Sequence, residues 1–206
     1  MTGVTLPARP RRERLQAGEG MRQAHQMTVD RTLLVYLLHL AEPHGLMGDV
    51  KLQQLAFLCE LQLFGKGLKG LHFEFFRYAY GAFSKDLDND LLSLRRKERI
   101  ENFSPTDKAE PVLQILKDAI AGVETNERVI EIIDAVVGTY GPKDSGAITQ
   151  SVEAVEISVP EQPEFKLAIR DISFHSTLLV PSRIEVQGEF ALPPPVLAKL
   201  TAALGY

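Results

Sequence analysis

The chain has 206 residues, 45% hydrophobic and 24% charged, with one cysteine and no tryptophan. That length supports a core without covalent staples, and the ordinary composition excludes wholesale disorder, a collagen-like repeat and a Cys-rich metal cage. A net charge of -4 gives no overall draw toward nucleic acid, and no apolar run approaches the roughly 20 residues of a bilayer span, so a soluble cytoplasmic protein without a membrane partner is expected.

Residues 1–26 differ from the rest. Five arginines (Arg9, Arg11, Arg12, Arg14, Arg22) against Glu13 and Glu19 give +3, leaving −7 for the remainder. Pro7, Pro10, Gly18 and Gly20 interrupt any periodicity, so this segment reads as a flexible basic arm. It lacks the apolar stretch of a signal peptide, and Met21 and Met27 offer alternative starts.

Residues 30–42 are apolar nearly all round, with Asp30 as a candidate cap and Pro43 and Gly45 as the stop, which predicts a helix inside the core. A second helix is predicted over residues 49–64, with Asp49 as N-cap and Gly65 just past the end. It carries two stripes: Leu52, Leu55, Ala56, Cys59 and Leu63 on one side, Phe57, Leu61 and Phe64 on another. Two stripes require two neighbours. Cys59 falls inside the first stripe and reads as a small core residue.

A glycine-rich turn then leads to residues 71–80, which read as a strand dense in Phe and Tyr. Alternation puts Phe73, Phe75 and Arg77 on one face and Phe76, Tyr78 and Tyr80 on the other. Gly81 is expected to break this strand, and Ser84 to cap a helix from Lys85 to Arg96, with Asp86 in its first turn and Arg95, Arg96 and Lys97 in its last. A short strand follows over residues 99–103. Helices are then predicted from Pro111, over residues 126–140, and over residues 145–153. Beyond Pro160 and Pro163, read as a linker ending near Lys166, the pattern turns to strands: residues 167–174, residues 177–180, and a hairpin over residues 183–192. A short terminal helix follows Pro193, Pro194 and Pro195. The expected organisation is a flexible arm (1–26), a helical domain (27–158) and a small β-rich extension (159–206). The fold class is mainly α (α+β), with a short winged-helix-like β element.

The search for chemistry returns little. The cluster Gly65, Gly67 and Gly70 lacks the strand and the GK[ST] ending of a phosphate loop. His25, His39, His44, His72 and His175 form no ligand pair and read as surface or core-edge residues. Asp86, Asp88 and Asp90 imitate the start of a calcium loop, but Leu91 occupies its obligatory glycine position and Lys97 that of its bidentate glutamate. No cofactor, metal or catalytic residue is expected.

One stretch stands out. KLQQL with Phe57 (Lys51, Leu52, Gln53, Leu55, Phe57), followed by Phe75, Arg77, Tyr78, Tyr80, Gly81, Phe83 and Ser84, resembles the Panacea, or SocA-like, antitoxin domain family. That family's helix reads roughly KLQKLLYFAQ and its next block F-x-R-Y-x-Y-G-P-[YF]-S. Ala82 stands where the pattern has proline. The resemblance is close over residues 50–100 and loose over 30–150. It implies a mainly helical antitoxin that neutralises a toxin encoded beside it.

The residues by themselves allow less. Phe76, Tyr78, Tyr80 and Phe83 suit an interface anchor, and equally a core junction. Arg77 suits a partner or anion, and equally an internal tie for the turn. The candidate partner-binding residues are therefore Phe76, Arg77, Tyr78, Tyr80, Gly81, Phe83 and Ser84. The alternative function is a winged-helix-like DNA-binding regulator, motivated by element order and the basic cluster Arg95, Arg96, Lys97 and Arg99, with the acidic total against it. An enzyme has no motif behind it.

Overall fold

The structure, a computed structural model, describes residues 22–45, 48–159 and 162–206. Helix α1, Ala24–Ala41, buries Val29, Leu33, Leu34, Leu37 and Leu38. Helix α2, Asp49–Gly65, has every residue from 51 to 60 buried. Helices without a polar face belong at the centre, and these two form it: α1 and α2 carry the core on which the later elements pack. Both stripes of α2 find neighbours. Leu52, Leu55, Ala56, Phe57, Cys59 and Leu63 are fully buried, and burial raises the Cys59 thiol pKa.

The chain then runs through strands β1 (Leu68–Lys69), β2 (Phe75–Tyr78) and β3 (Gly81–Phe83) into helix α3 (Lys85–Arg96). Ser84 caps α3 as expected, its Oγ accepting from the Leu87 N–H at 3.4 Å. A small hairpin of β4 (Ile100–Glu101) and β5 (Ser104–Pro105) leads to helices α4 (Glu110–Ile120), α5 (Glu124–Tyr140) and α6 (Ser145–Glu153). Asp144 Oδ1 caps α6 through the Ala147 N–H at 2.7 Å. Strands β6 (Glu156–Val159), β7 (Gln162–Ala168), β8 (Thr177–Leu179) and β9 (Gly188–Glu189) and helix α7 (Pro194–Leu204) complete it. Helices α5 and α6 and strand β3 pack on α2, while α4, α5 and α7 pack on α1. The fold is mainly α with small sheets.

Two of the four short sheets among the described residues join distant segments. Strands β2 and β3 form an antiparallel hairpin, and β8 joins the other edge of β2, also antiparallel. Strand β1 pairs in parallel with β9, Leu68 opposite Gly188. The C-terminal segment therefore adds β8 to the β2–β3 sheet and β9 to β1, and Leu200 and Leu204 enter the common core.

Several expectations are corrected. Residues 22–26, assigned to the flexible arm, are ordered: Gln26 Oε1 accepts from the Gln23 N–H at 2.8 Å, and α1 starts before Asp30, which is buried rather than capping. The remainder of the arm, residues 1–21, lies outside the described residues. Gly48, not Asp49, precedes α2 as its cap. Gly81 does not end the strand but starts its return, because φ of 95° at Gly81 closes the turn at Ala79 and Tyr80. The expected linker up to Lys166 is strand β7, paired with β6, so strand structure starts before Pro160. The predicted hairpin over residues 183–192 does not form. A helical turn at Pro181–Arg183 redirects the chain, and residues 188–189 pair with β1 instead.

Candidate protein-binding site

The two segments that carry the resemblance meet face to face. Along β3, the N–H and C=O of Ala82 and Ser84 point away from β2, and adjacent glutamines on α2 take both pairs. Gln54 Nε2 donates to the Ala82 carbonyl at 3.0 Å while the Ala82 N–H donates to Gln54 Oε1 at 3.1 Å. Gln53 repeats the pattern on Ser84, donating at 3.1 Å and accepting at 2.8 Å. Each side-chain amide thus stands in for one residue of a neighbouring strand, satisfying a backbone that burial would otherwise orphan. Asn126 on α5 does the same for Ala191, donating at 2.9 Å and accepting at 3.1 Å. Gly81 completes the clamp: a Cβ there would lie 2.4 Å from Gln54 Oε1.

The expected alternation holds. Phe73 and Phe75 are fully buried and Arg77 is 5% exposed, whereas Tyr78 and Tyr80 are 47% and 66% exposed. Phe75 meets Phe57 of α2 edge to face, ring centroids 5.2 Å apart. Arg77 is spent within the chain. Its Nε donates to the Ile169 carbonyl at 3.0 Å, Nη2 to Glu153 Oε1 at 2.9 Å, and Nη1 to the Tyr78 carbonyl; its guanidinium lies 5.2 Å from the Phe174 ring. Of the seven candidate residues, Arg77, Gly81 and Ser84 are buried and hold the hairpin, Phe76 and Phe83 are half-buried, and Tyr78 and Tyr80 face outward.

The outward face borders a groove of about 190 Å³ lined by Asp49, Val50, Gln53, Gln54, Tyr78, Tyr80, Ala82 and Phe83. Tyr78 packs on Phe83 at 5.4 Å and edge-on to His175 at 5.5 Å. His175 adopts a left-handed φ of 66° and donates its backbone N–H to the Arg77 carbonyl at 2.8 Å. Phe174 beside it is 60% exposed. These two residues come from the C-terminal segment, and nothing local in the sequence ties His175 to Tyr78 or Phe174 to Arg77. The groove is smaller than the roughly 300 Å³ at which pockets for drug-sized ligands begin.

The basic cluster has mostly internal uses. Arg95 donates twice to the Asn102 carbonyl at 3.1 Å and stacks 4.9 Å from Phe103; Arg99 donates to the Ala203 carbonyl at 2.6 Å; Lys97 lies 5.2 Å from the Tyr206 ring. Arg96 is exposed.

A second constellation escaped the sequence reading. Asp30, fully buried on α1, accepts from Arg22 Nη1 at 2.8 Å, from the His72 backbone N–H at 3.0 Å and from His72 Nδ1 at 2.8 Å. Asp90 on α3 takes Arg22 Nη1 at 2.7 Å and Arg31 Nε at 2.8 Å, and Asp86 lies 3.5 Å from Arg22 Nε. Asp86 and Asp90 thus share a helix face, as their spacing implies, and that face binds a guanidinium. Nearby, Glu60 on α2 accepts from the Phe73 N–H at 2.8 Å through Oε1, while Oε2 is buried without a partner among the described residues. Burial raises its pKa well above the ordinary carboxylate range, the Phe73 hydrogen bond acting in the opposite sense. The carboxylates serve as acceptors for the extended backbone between β1 and β2, where no strand is available. Among the described residues no group of three or more His, Cys, Asp or Glu is placed to hold a metal ion, and no helix is long and apolar enough to cross a membrane.

Comparison with known proteins returns no matching family model, no similar curated protein and no similar solved structure.

Proposed function

We propose that this chain is a non-catalytic protein-binding module, an antitoxin that neutralises a toxin encoded beside it by gripping that polypeptide with the Tyr78 and Tyr80 hairpin. The observation that carries the reading is an exposed pair of tyrosines on a hairpin whose return strand is clamped by Gln53 and Gln54. Rigid aromatic side chains on a pre-organised support give contact area at low entropic cost, the usual make-up of a binding hot spot. The resemblance of residues 51–57 and 75–84 to the Panacea pattern supports the same reading, because those two blocks build the clamp together. Where the pattern has proline, Ala82 keeps an N–H, and Gln54 accepts it. The side-chain amide supplies the rigidity that a proline ring would give.

The test is co-expression. The neighbouring reading frame is expressed alone, with the wild-type chain, and with a variant carrying Tyr78→Ala and Tyr80→Ala. Toxicity alone, rescue by wild type and loss of rescue by the folded variant are expected. A harmless neighbour, or one rescued equally by the variant, removes the proposal.

A further inference from the structure

His72 sits in the extended stretch between β1 and β2, buried at 6% exposure. Its Nδ1 lies 2.8 Å from Asp30 Oδ1 on α1, and its Nε2 lies 3.0 Å from Glu189 Oε1 on β9. Ionised carboxylates only accept hydrogen bonds, whereas a neutral imidazole carries one N–H and one lone pair. Both contacts are hydrogen bonds only when both ring nitrogens are protonated. We propose that His72 is held as an imidazolium and acts as a protonation-dependent clip fastening strand β9, and the C-terminal segment behind it, to helix α1.

The charges around the ring fit this assignment. Facing it are Asp30 of α1 and Glu189 of β9; Arg22 bridges Asp30 to Asp90 and Asp86 of α3, and Arg31 of α1 holds Asp90. Glu60 of α2, which feels the charges of Asp30, Arg22 and Lys69 of β1, is drawn toward its neutral form by burial. Four carboxylates (Asp30, Asp86, Asp90 and Glu189) therefore meet Arg22, Arg31 and Lys69, and the proton on His72 supplies a fourth positive charge. Burial opposes that charge, but the hydrogen bonds and charges of Asp30 and Glu189 together outweigh it and set the His72 pKa above its ordinary value.

The two ends of the clip differ. Asp30 is fully buried and also holds the His72 backbone N–H, while the Glu189 side chain is 42% exposed. On deprotonation the remaining proton stays on Nδ1 toward Asp30, and the Nε2 contact to Glu189 is the one that opens. Because the folded pKa is raised, the clip contributes fully below the unfolded value of about 6.5 and is lost as pH rises through the folded value.

The experiment uses the full chain. The His72 ring is titrated by NMR from about pH 5 to about pH 9, the span in which histidine changes charge. Amide exchange of Phe190, whose N–H donates to the Lys69 carbonyl at 2.7 Å, is followed in parallel and corrected for its intrinsic pH dependence. Expected are a His72 midpoint above the ordinary value and a severalfold fall in Phe190 protection through that midpoint. In Glu189→Gln the amide can accept from a protonated Nε2 or donate to a bare one, so the fall disappears. A His72 midpoint at or below the ordinary value, or the same fall in Glu189→Gln, overturns the proposal.

Discussion

Gln54 and Ala82 are joined by two opposed hydrogen bonds, so a helix side chain does for β3 what an adjacent strand does elsewhere. Replacing it by leucine strips both backbone groups of a residue only 2% exposed. Each buried group left unpaired costs about 1–3 kcal/mol. Gln54→Leu is expected to lose about 2–4 kcal/mol in urea unfolding, and Gln54→Glu, which sets a buried carboxylate oxygen against the Ala82 carbonyl, to lose at least as much at neutral pH. Tyr80→Ala, on the exposed face, leaves stability nearly unchanged.

Gly81→Ala meets two obstacles, a φ of 95° and a Cβ position 2.4 Å from Gln54 Oε1. A side chain forced into an incompatible backbone conformation costs more than about 1 kcal/mol. Combining it with Gln54→Ala removes the clash and keeps the backbone strain. The double variant is therefore expected to lose less than the sum of the single losses, a coupling that a thermodynamic cycle measures.

Arg22 is the shared cation of Asp30 and Asp90, whose side chains are 0% and 2% exposed. Arg22→Ala leaves two buried carboxylates short of a partner, and removing one member of a buried pair costs about 3–5 kcal/mol. Arg22→Lys is expected to recover only part of this, because one ammonium cannot reproduce a guanidinium that spans Asp30, Asp86 and Asp90. Thermal and urea unfolding of both variants check the order.

Glu60 gives a pH dependence of known sign. Burial raises its folded pKa, so between the unfolded value of about 4.3 and the folded value the unfolded chain loses a proton that the fold keeps. The stability this group contributes is present at low pH and declines as pH rises. Glu60→Gln cannot ionise and still accepts from the Phe73 N–H through its carbonyl. It is expected to match wild type near pH 4 and exceed it in urea unfolding at neutral pH.

Local signals were readable and long-range ones were not. Ser84 ahead of Lys85 marks the start of α3 in capping chemistry, and the structure keeps it; the helix expected over residues 145–153 also forms. The alternation of Phe75, Phe76, Arg77 and Tyr78 divides the strand into two faces, and the structure turns the Phe75 and Arg77 face inward. By contrast, residues 188–189 carry no mark of a partner at residues 68–69, and the parallel pair depends on everything folded between them. His72 read as a plain histidine because Asp30 and Glu189 are remote in sequence. Of the candidate site, the tyrosines were legible, while His175 reaches Tyr78, and Phe174 reaches Arg77, only through tertiary packing.

Helix α7 lies against α1, with Thr201 and Thr28 hydroxyls 3.0 Å apart and Leu200 and Leu204 in the common core. This closure imposes an order on synthesis. A nascent polypeptide can assemble α2 with α5 and α6 while one flank of its first helix stays wet and sticky until α7 clears the ribosome. Until then that flank is open to chaperones and to misassociation.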